Sequence, residues 1–312
     1  MRKYMPIILT LFVVAVGGYF VVSQKNVDNA EIKTSLKETN TLGTFTKQTS
    51  CAKPPQFLAH MKIAQPVIID LSQKRFKGIA LYHGKDFRQT LHPKIWEQYE
   101  HFSTYATDEK GNIYLVPMPF ISILPTTFNL QKNIYKLDSK TGKISIFMHF
   151  NDVHPSARNP YGINAIAYDC EDETLWVSAI DESDYESQKG VIYHINPQTK
   201  EILQKLEGVD VLSMVLIKSE KGKFLLVGSA RDNGLYAYAI NKGMLTKSTK
   251  LLELHNANEH IRKIKVTNNN ELELQSIPFS YSLIAQSANK DRIYYKATWN
   301  EKNHNWMIKH KD

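Results

Sequence analysis

The side chains best able to ligate, ionise or grip a ligand fall into three groups in this 312-residue chain. The stretch MHFNDVHPSARNPYG brings together His149, Asp152, His154, Arg158, Asn159 and Tyr161, and imidazole with carboxylate suits zinc or another transition metal. A second stretch, LHNANEHIR, carries His255, Asn256, Glu259, His260 and Arg262. The third is divided between Asp181-Glu182-Ser183-Asp184 and Arg231-Asp232. The planar forks of Arg158 and Arg231 match a carboxylate or a phosphate. His149, Asp152, His154 and His260 are the candidate ligands if a divalent metal is the cofactor. Each group also has a plainer use. Loops are polar for solvation alone, and surface arginines pair with neighbouring Asp. The acidic run lacks the glycine and distal glutamate of an EF-hand. Other chemistries have no motif: there is no Gly-x-Ser-x-Gly elbow, no glycine-rich phosphate loop, no His-Glu-x-x-His pair and no cysteine pair at zinc spacing.

The elements that must position these groups follow one grammar. An apolar strand, a charged tight turn and a second apolar strand recur in TYATDEKGNIYLVPMP from Thr104, AIAYDCEDETLWVSAID from Ala165 and MVLIKSEKGKFLLVGSA from Met214. A second hairpin follows each, turning at Lys140-Thr141-Gly142, at Asn196-Pro197-Gln198-Thr199 and at Lys242-Gly243. Each unit is therefore a four-stranded meander, and self-similarity on the scale of about 40 to 50 residues marks a propeller built of such blades. The reading is all-β: a propeller over residues 56–312 with five to six blades, six preferred, because degenerate hairpins precede and follow the clear repeats. Tyr114, Tyr135, Trp176, Tyr193, Tyr236 and Tyr238 stand at strand periodicity and are expected to pack between blades. In such a meander the links from second to third strand and from fourth strand to the next blade emerge on one face. All three groups of candidate residues lie in those links.

Pro160-Tyr161-Gly162-Ile163, with Asp169 and Leu175-Trp176-Val177-Ser178 behind it, resembles the opening of a repeat in the six-bladed group of NHL-repeat, regucalcin or gluconolactonase, and TolB-like domains. Asp108-Glu109-Lys110-Gly111-Asn112 with Ile113-Tyr114-Leu115-Val116 matches the same opening, and Ile134-Tyr135-Lys136-Leu137-Asp138 with Thr141-Gly142 matches the second half. The resemblance covers roughly residues 100–250 and implies architecture more than activity. Its lactonase branch implies a metal held by an Asn in a Pro-Asn-Gly triplet, where this chain has Tyr161. The Asp-Gly usual before a first strand is Ser103-Thr104. Both departures count against a copied metal site.

The amino end adds a second signal. Arg2 and Lys3 precede an uncharged stretch from Tyr4 to Gln24, so residues 1–24 read as a membrane anchor or a signal peptide, with the anchor preferred and the body outside the cytoplasm. Residues 25–55, rich in Asn, Thr, Ser and Lys, read as a flexible polar tether. Cys51 and Cys170 are candidates for a disulfide in an oxidising compartment, and two unpaired thiols are the alternative. The formal charge of +8 is spread along the chain without a run of five or more cations, which argues against nucleic acid as a partner. The expected function is a membrane-tethered scaffold on the cell surface or in the periplasm, binding an envelope protein, peptide or glycan. A metal-dependent lactone or ester hydrolase with a rebuilt site is the alternative.

Overall fold

Hairpins form where a short acid or amide closes the turn on itself. Asp108 accepts the backbone N–H groups of Lys110 and Asn112, Asp138 those of Lys140 and Thr141, Asp169 those of Glu171 and Asp172, and Asn196 those of Gln198 and Thr199. Between these turns the strands are almost continuously apolar, as in Ile113–Pro117 and Thr174–Ala179, where every residue is buried. Strands covered on both faces must lie between layers.

The computed structural model describes residues 32–33, 42–47, 50–71, 76–119, 125–282 and 292–311. Two compact units divide the chain, Met1–Ile32 and Lys33–Asp312, and the sheets below lie in the second. A two-residue strand, β1 (Ile32–Lys33), comes first, and β2 is Phe45–Lys47. Blade I is β3 (Ile68–Asp70), β4 (Ala80–His83) and β5 (Gln89–Leu91). Blade II is β6 (Phe102–Thr107), β7 (Ile113–Pro117), β8 (Asn133–Leu137) and β9 (Ile144–His149). Blade III is β10 (Ile163–Asp169), β11 (Thr174–Ala179), β12 (Val191–Ile195) and β13 (Ile202–Glu207). Blade IV is β14 (Val211–Ser219), β15 (Gly222–Ser229), β16 (Gly234–Asn241) and β17 (Met244–Glu253), with β2 added on the side of β14. Blade V is β18 (Glu259–Asn268), β19 (Glu271–Pro278), β20 (Ile293–Asn300) and β21 (Asn305–His310).

The first strands lie side by side: β10 packs between β6 and β14, and β14 against β18, so they line the axis. Separate apolar cores fill the spaces between blades. Leu81, Trp96 and Leu115 join I to II, Val116, Phe150 and Tyr193 join II to III, Trp176, Leu216 and Val227 join III to IV, and Leu226, Leu252 and Leu274 join IV to V. Among the described residues no corresponding core joins V to I.

The propeller has five blades rather than the six preferred from sequence. The last two apolar hairpins share one sheet, because β19 pairs with β20 along Leu274↔Tyr295, and the first strands make a single three-stranded blade. The segment after Pro93 forms a 3₁₀ turn, Lys94–Gln98, whose buried Trp96 donates its Nε1–H to the Gly142 carbonyl at 2.8 Å. The anchor or signal helix read in residues 1–24 lies outside the described residues. Among those described, no helix is long and apolar enough to cross a membrane.

Part of the stretch read as tether is built into the body. Residues 42–47 run past the hairpin turns of blades V and IV at one end, and residues 50–58 past those of blade III and then blade II. The Phe45 N–H donates to Asn270 Oδ1 at 2.9 Å, in the first turn of blade V. Thr46 pairs with Lys218, and the Glu220 N–H donates to the Thr44 carbonyl at 2.9 Å, in the first turn of blade IV. Cys51 is bonded to Cys170 in the first turn of blade III, with the Cα atoms 5.6 Å apart. The Lys53 N–H reaches the Asp108 carbonyl and the Phe57 N–H the Ser139 carbonyl, both in turns of blade II. Leu42 and Phe45, apolar residues in a polar stretch, are buried between blades IV and V.

Candidate functional site

At the opposite end, where the inner strands begin, four blades share an irregularity. The pairing of first and second strands slips between Phe102 and Thr104, Ile163 and Ala165, Val211 and Ser213, and Ile261 and Lys263. The extra residues are Ser103, Asn164, Leu212 and Arg262. A bulge turns one side chain out of the pleat, and those of Asn164 and Arg262 reach across to the neighbouring blade. Asn164 Nδ2 donates to the Val211 carbonyl at 2.6 Å, and Arg262 Nη1 to the Leu212 carbonyl at 2.9 Å. Leu212 joins Tyr161, Ile180 and Ala230 in a small buried cluster, with Phe279 packed against it.

Phe279 is the hub of an aromatic pad on that cluster. Its ring lies 5.3 Å from Tyr161, 5.2 Å from Tyr281 and 5.4 Å from His260. Tyr185, an exposed residue on the blade III loop, meets Tyr281 edge-on at 5.7 Å and donates to Ser280 Oγ at 2.7 Å. Arg231 of blade IV donates to the carbonyls of Asp184 and Tyr185. Loops of blades III, IV and V are thus tied together around the pad. Asp210, 1% exposed, anchors them from below by accepting from Ser183 Oγ at 2.5 Å, the Gly190 N–H at 2.8 Å and Tyr281 Oη at 2.6 Å. Burial, and then the Asp210 carboxylate, push the Tyr281 phenol far above its ordinary value, so it remains a donor at neutral pH.

The candidate residues from sequence divide between this assembly and its surroundings. Tyr161 and His260 are in the pad. Asn159 is a buried staple: its Nδ2 donates to the Ile180 and Ser183 carbonyls at 2.5 and 2.8 Å, and its Oδ1 accepts from the Tyr161 N–H. Asp181 accepts the His154 backbone N–H at 2.6 Å, and burial raises its pKa. Glu259 is buried under Ser276 and Tyr295, which donate to Oε2 at 2.7 and 2.6 Å. Asp232 accepts from Tyr236 Oη at 2.6 Å and pairs with Lys250 at 3.0 Å. The other residues face solvent. His149 bonds Asn133 Oδ1 at 2.8 Å, Asp152 pairs with Lys205 at 3.0 Å and accepts from Tyr193, and His154, Arg158 and His255 are exposed. Among the described residues no three His, Cys, Asp or Glu side chains converge on a metal position. His149, Asp152, His154 and His260 are not brought together.

Phe279, Tyr281 and Tyr185 were not among the residues singled out from sequence. The available signal was positional. Phe279 directly follows a second strand, where the sister blades have Met118, Ile180 and Ala230.

Two carboxylates give a pH test. Burial works to raise the Asp232 and Asp152 pKa values, but bonds from Tyr236 and Lys250, and from Lys205 and Tyr193, outweigh it and hold both below the usual range. A folded-state pKa below the unfolded value supplies stability that is present above the unfolded pKa of about 3.9 and is lost as pH falls through the folded one. We expect the melting temperature to fall below about pH 4, and to fall less steeply in Asp232→Asn. A melting-temperature series from pH 3 to 7 on both proteins reads this.

The five antiparallel meanders around an axis, with loops gathered at one end, define the chain as a β-propeller. No family model matches the sequence. No curated protein matches it either. Solved structures similar to it include a glucose dehydrogenase at 14% identity, covering 72% of this chain and 76% of that one with a TM-score of 0.40. Another is a protein of unknown function from Bacteroides caccae, at 13% identity over 76% of this chain and 85% of that one, with a TM-score of 0.42. A luciferin-regenerating enzyme is 12% identical over 80% of this chain and 78% of that one, with a TM-score of 0.41. At these identities and scores the likenesses carry no activity over to this chain.

Proposed function

We propose that this chain is a binding module, a propeller held outside the cytoplasm by its apolar leader and presenting the Tyr161–Phe279–Tyr281 pad to an envelope protein, peptide or glycan. One observation carries the reading. Loops from three blades are fastened around an aromatic cluster in which Phe279 is partly and Tyr185 largely open to solvent, while the carboxylates nearby are committed to internal hydrogen bonds. An apolar surface with few polar groups suits binding. The closed Cys51–Cys170 bridge fits an oxidising compartment and supports placement outside the cytoplasm. Among the described residues the hydrolase alternative has no converged ligand set in its support.

Labelling with 3-fluorotyrosine, with signals assigned by Tyr→Phe variants, tests the site. Neutral aromatic fragments should shift the Tyr161, Tyr185 and Tyr281 signals and leave Tyr82 and Tyr294 unmoved. Shifts scattered over all tyrosines would reject the pad as the binding surface. Turnover of a lactone or ester panel that depends on added zinc or calcium, and vanishes in the His154→Ala/His260→Ala protein, would replace the binding reading with the hydrolase one.

A further inference from the structure

We propose that Arg262 makes the pad selective for anions: its guanidinium is the recognition point for one carboxylate of a ligand whose flat apolar body lies on Phe279 and Tyr281. The inference rests on the binding reading above and names the ligand class for that site.

Arg262 owes its position to the bulge at Ile261/Lys263, which turns the side chain toward blade IV. Its Nη1 donates to the Leu212 carbonyl at 2.9 Å, and among the described residues no partner meets Nε or Nη2. No carboxylate among the described residues pairs with it either, which is unusual for a half-buried cation. Asp210, the buried acid of the same loops, is committed to Ser183, Gly190 and Tyr281. A guanidinium with no acid and no Nε or Nη2 partner among the described residues is shaped for a planar two-oxygen acceptor. The apolar side of the site is the cluster that Leu212 shares with Tyr161 and Phe279, so the cation and the pad are contiguous. His260, 8% exposed, adds an Nδ1 with no partner among the described residues beside the Phe279 ring. A carboxylate is favoured over a phosphate because one guanidinium balances one charge, and the buried Asp210, which accepts from Tyr281 in the pad, opposes a second.

Three probes that share one ring system test this on the full-length protein by calorimetry: 2-naphthoate, 2-naphthamide and 2-naphthyl phosphate. A charge-assisted pair is worth about 1.5–3 kcal/mol. Arg262→Gln should therefore weaken 2-naphthoate by about 10- to 100-fold and leave 2-naphthamide unchanged. Arg262→Lys, which keeps the charge but loses the fork, should fall between. Phe279→Ala should weaken all three probes. Equal binding of naphthoate and naphthamide, with no effect of Arg262→Gln, would overturn the anion assignment and leave the pad standing. Tighter binding of the phosphate than of the carboxylate would overturn the choice of carboxylate. Failure of both naphthoate and naphthamide to bind would overturn the pad and this inference together. Unchanged melting temperatures of the variants separate lost recognition from lost folding.

Discussion

Replacing Cys51 and Cys170 with serine is expected to lower the unfolding free energy by about 2–5 kcal/mol, the usual cost of removing a native bridge. The two half-cystines are 119 residues apart, so the bridge closes a long loop and restricts the unfolded chain strongly. The native side adds to this. The bridge fixes the middle of the segment that runs beneath the turns of blades V to II, and without it the Phe45 and Phe57 contacts must hold that segment from its ends. Urea unfolding of the oxidised protein and the double variant measures the difference, and the slope should rise as the freed unfolded chain exposes more surface. An unchanged midpoint would mean that the segment stays in place without the bridge.

Trp176→Ala should cost about 3–5 kcal/mol, the range for truncating a buried tryptophan. Trp176 has no exposed surface and sits at the interface of blades III and IV among Ala165, Ile192, Val211, Leu225 and Val227. Its ring stacks on His194 at 3.9 Å with the planes 3° apart. His194 is fixed in turn by Thr174 Oγ1 at 2.8 Å, and burial lowers its pKa, which keeps the ring neutral for stacking. The indole Nε1 has no hydrogen-bond partner among the described residues, so Trp176→Phe should lose much less than Trp176→Ala. Equal losses in the two variants would show that shape rather than buried area sets the interface, and near-UV circular dichroism should report the loosened packing of either protein.

The strands and turns were legible because they are local. Asp108, Asp138, Asp169 and Asn196 close turns with their own neighbours, so the sequence around each contains the whole interaction. Blade count was not local. Whether the hairpin ending near Pro278 and the strand at Ile293–Asn300 form one sheet or two depends on pairing between strands that are not adjacent in sequence. The segment from Leu42 to Pro55 misled for a similar reason: its composition is that of a solvated linker, and its few apolar residues gain burial only against distant blades. In the site, residue type was a poor guide to role. Asn159, Asp181, Asp232 and Glu259 have ligand chemistry, yet each binds the protein's own backbone or hydroxyls. Arg262 stood among the candidate loop residues, but its lack of an acid partner among the described residues appears only when the bulges of neighbouring strands are placed beside one another.

The segment under the blades also sets an order of events in biosynthesis. Residues 42–58 leave the ribosome before any blade, yet their partners include Glu220 and Asn270, which are made much later. The blades can form in turn from their own hairpins. This stretch cannot dock fully until blade V has been completed, so contacts of long sequence separation are among the last to form. Nascent chains released short of Asn270 should therefore carry a loose amino-terminal segment open to protease, and a cysteine at position 51 still waiting to be fixed in its final surroundings.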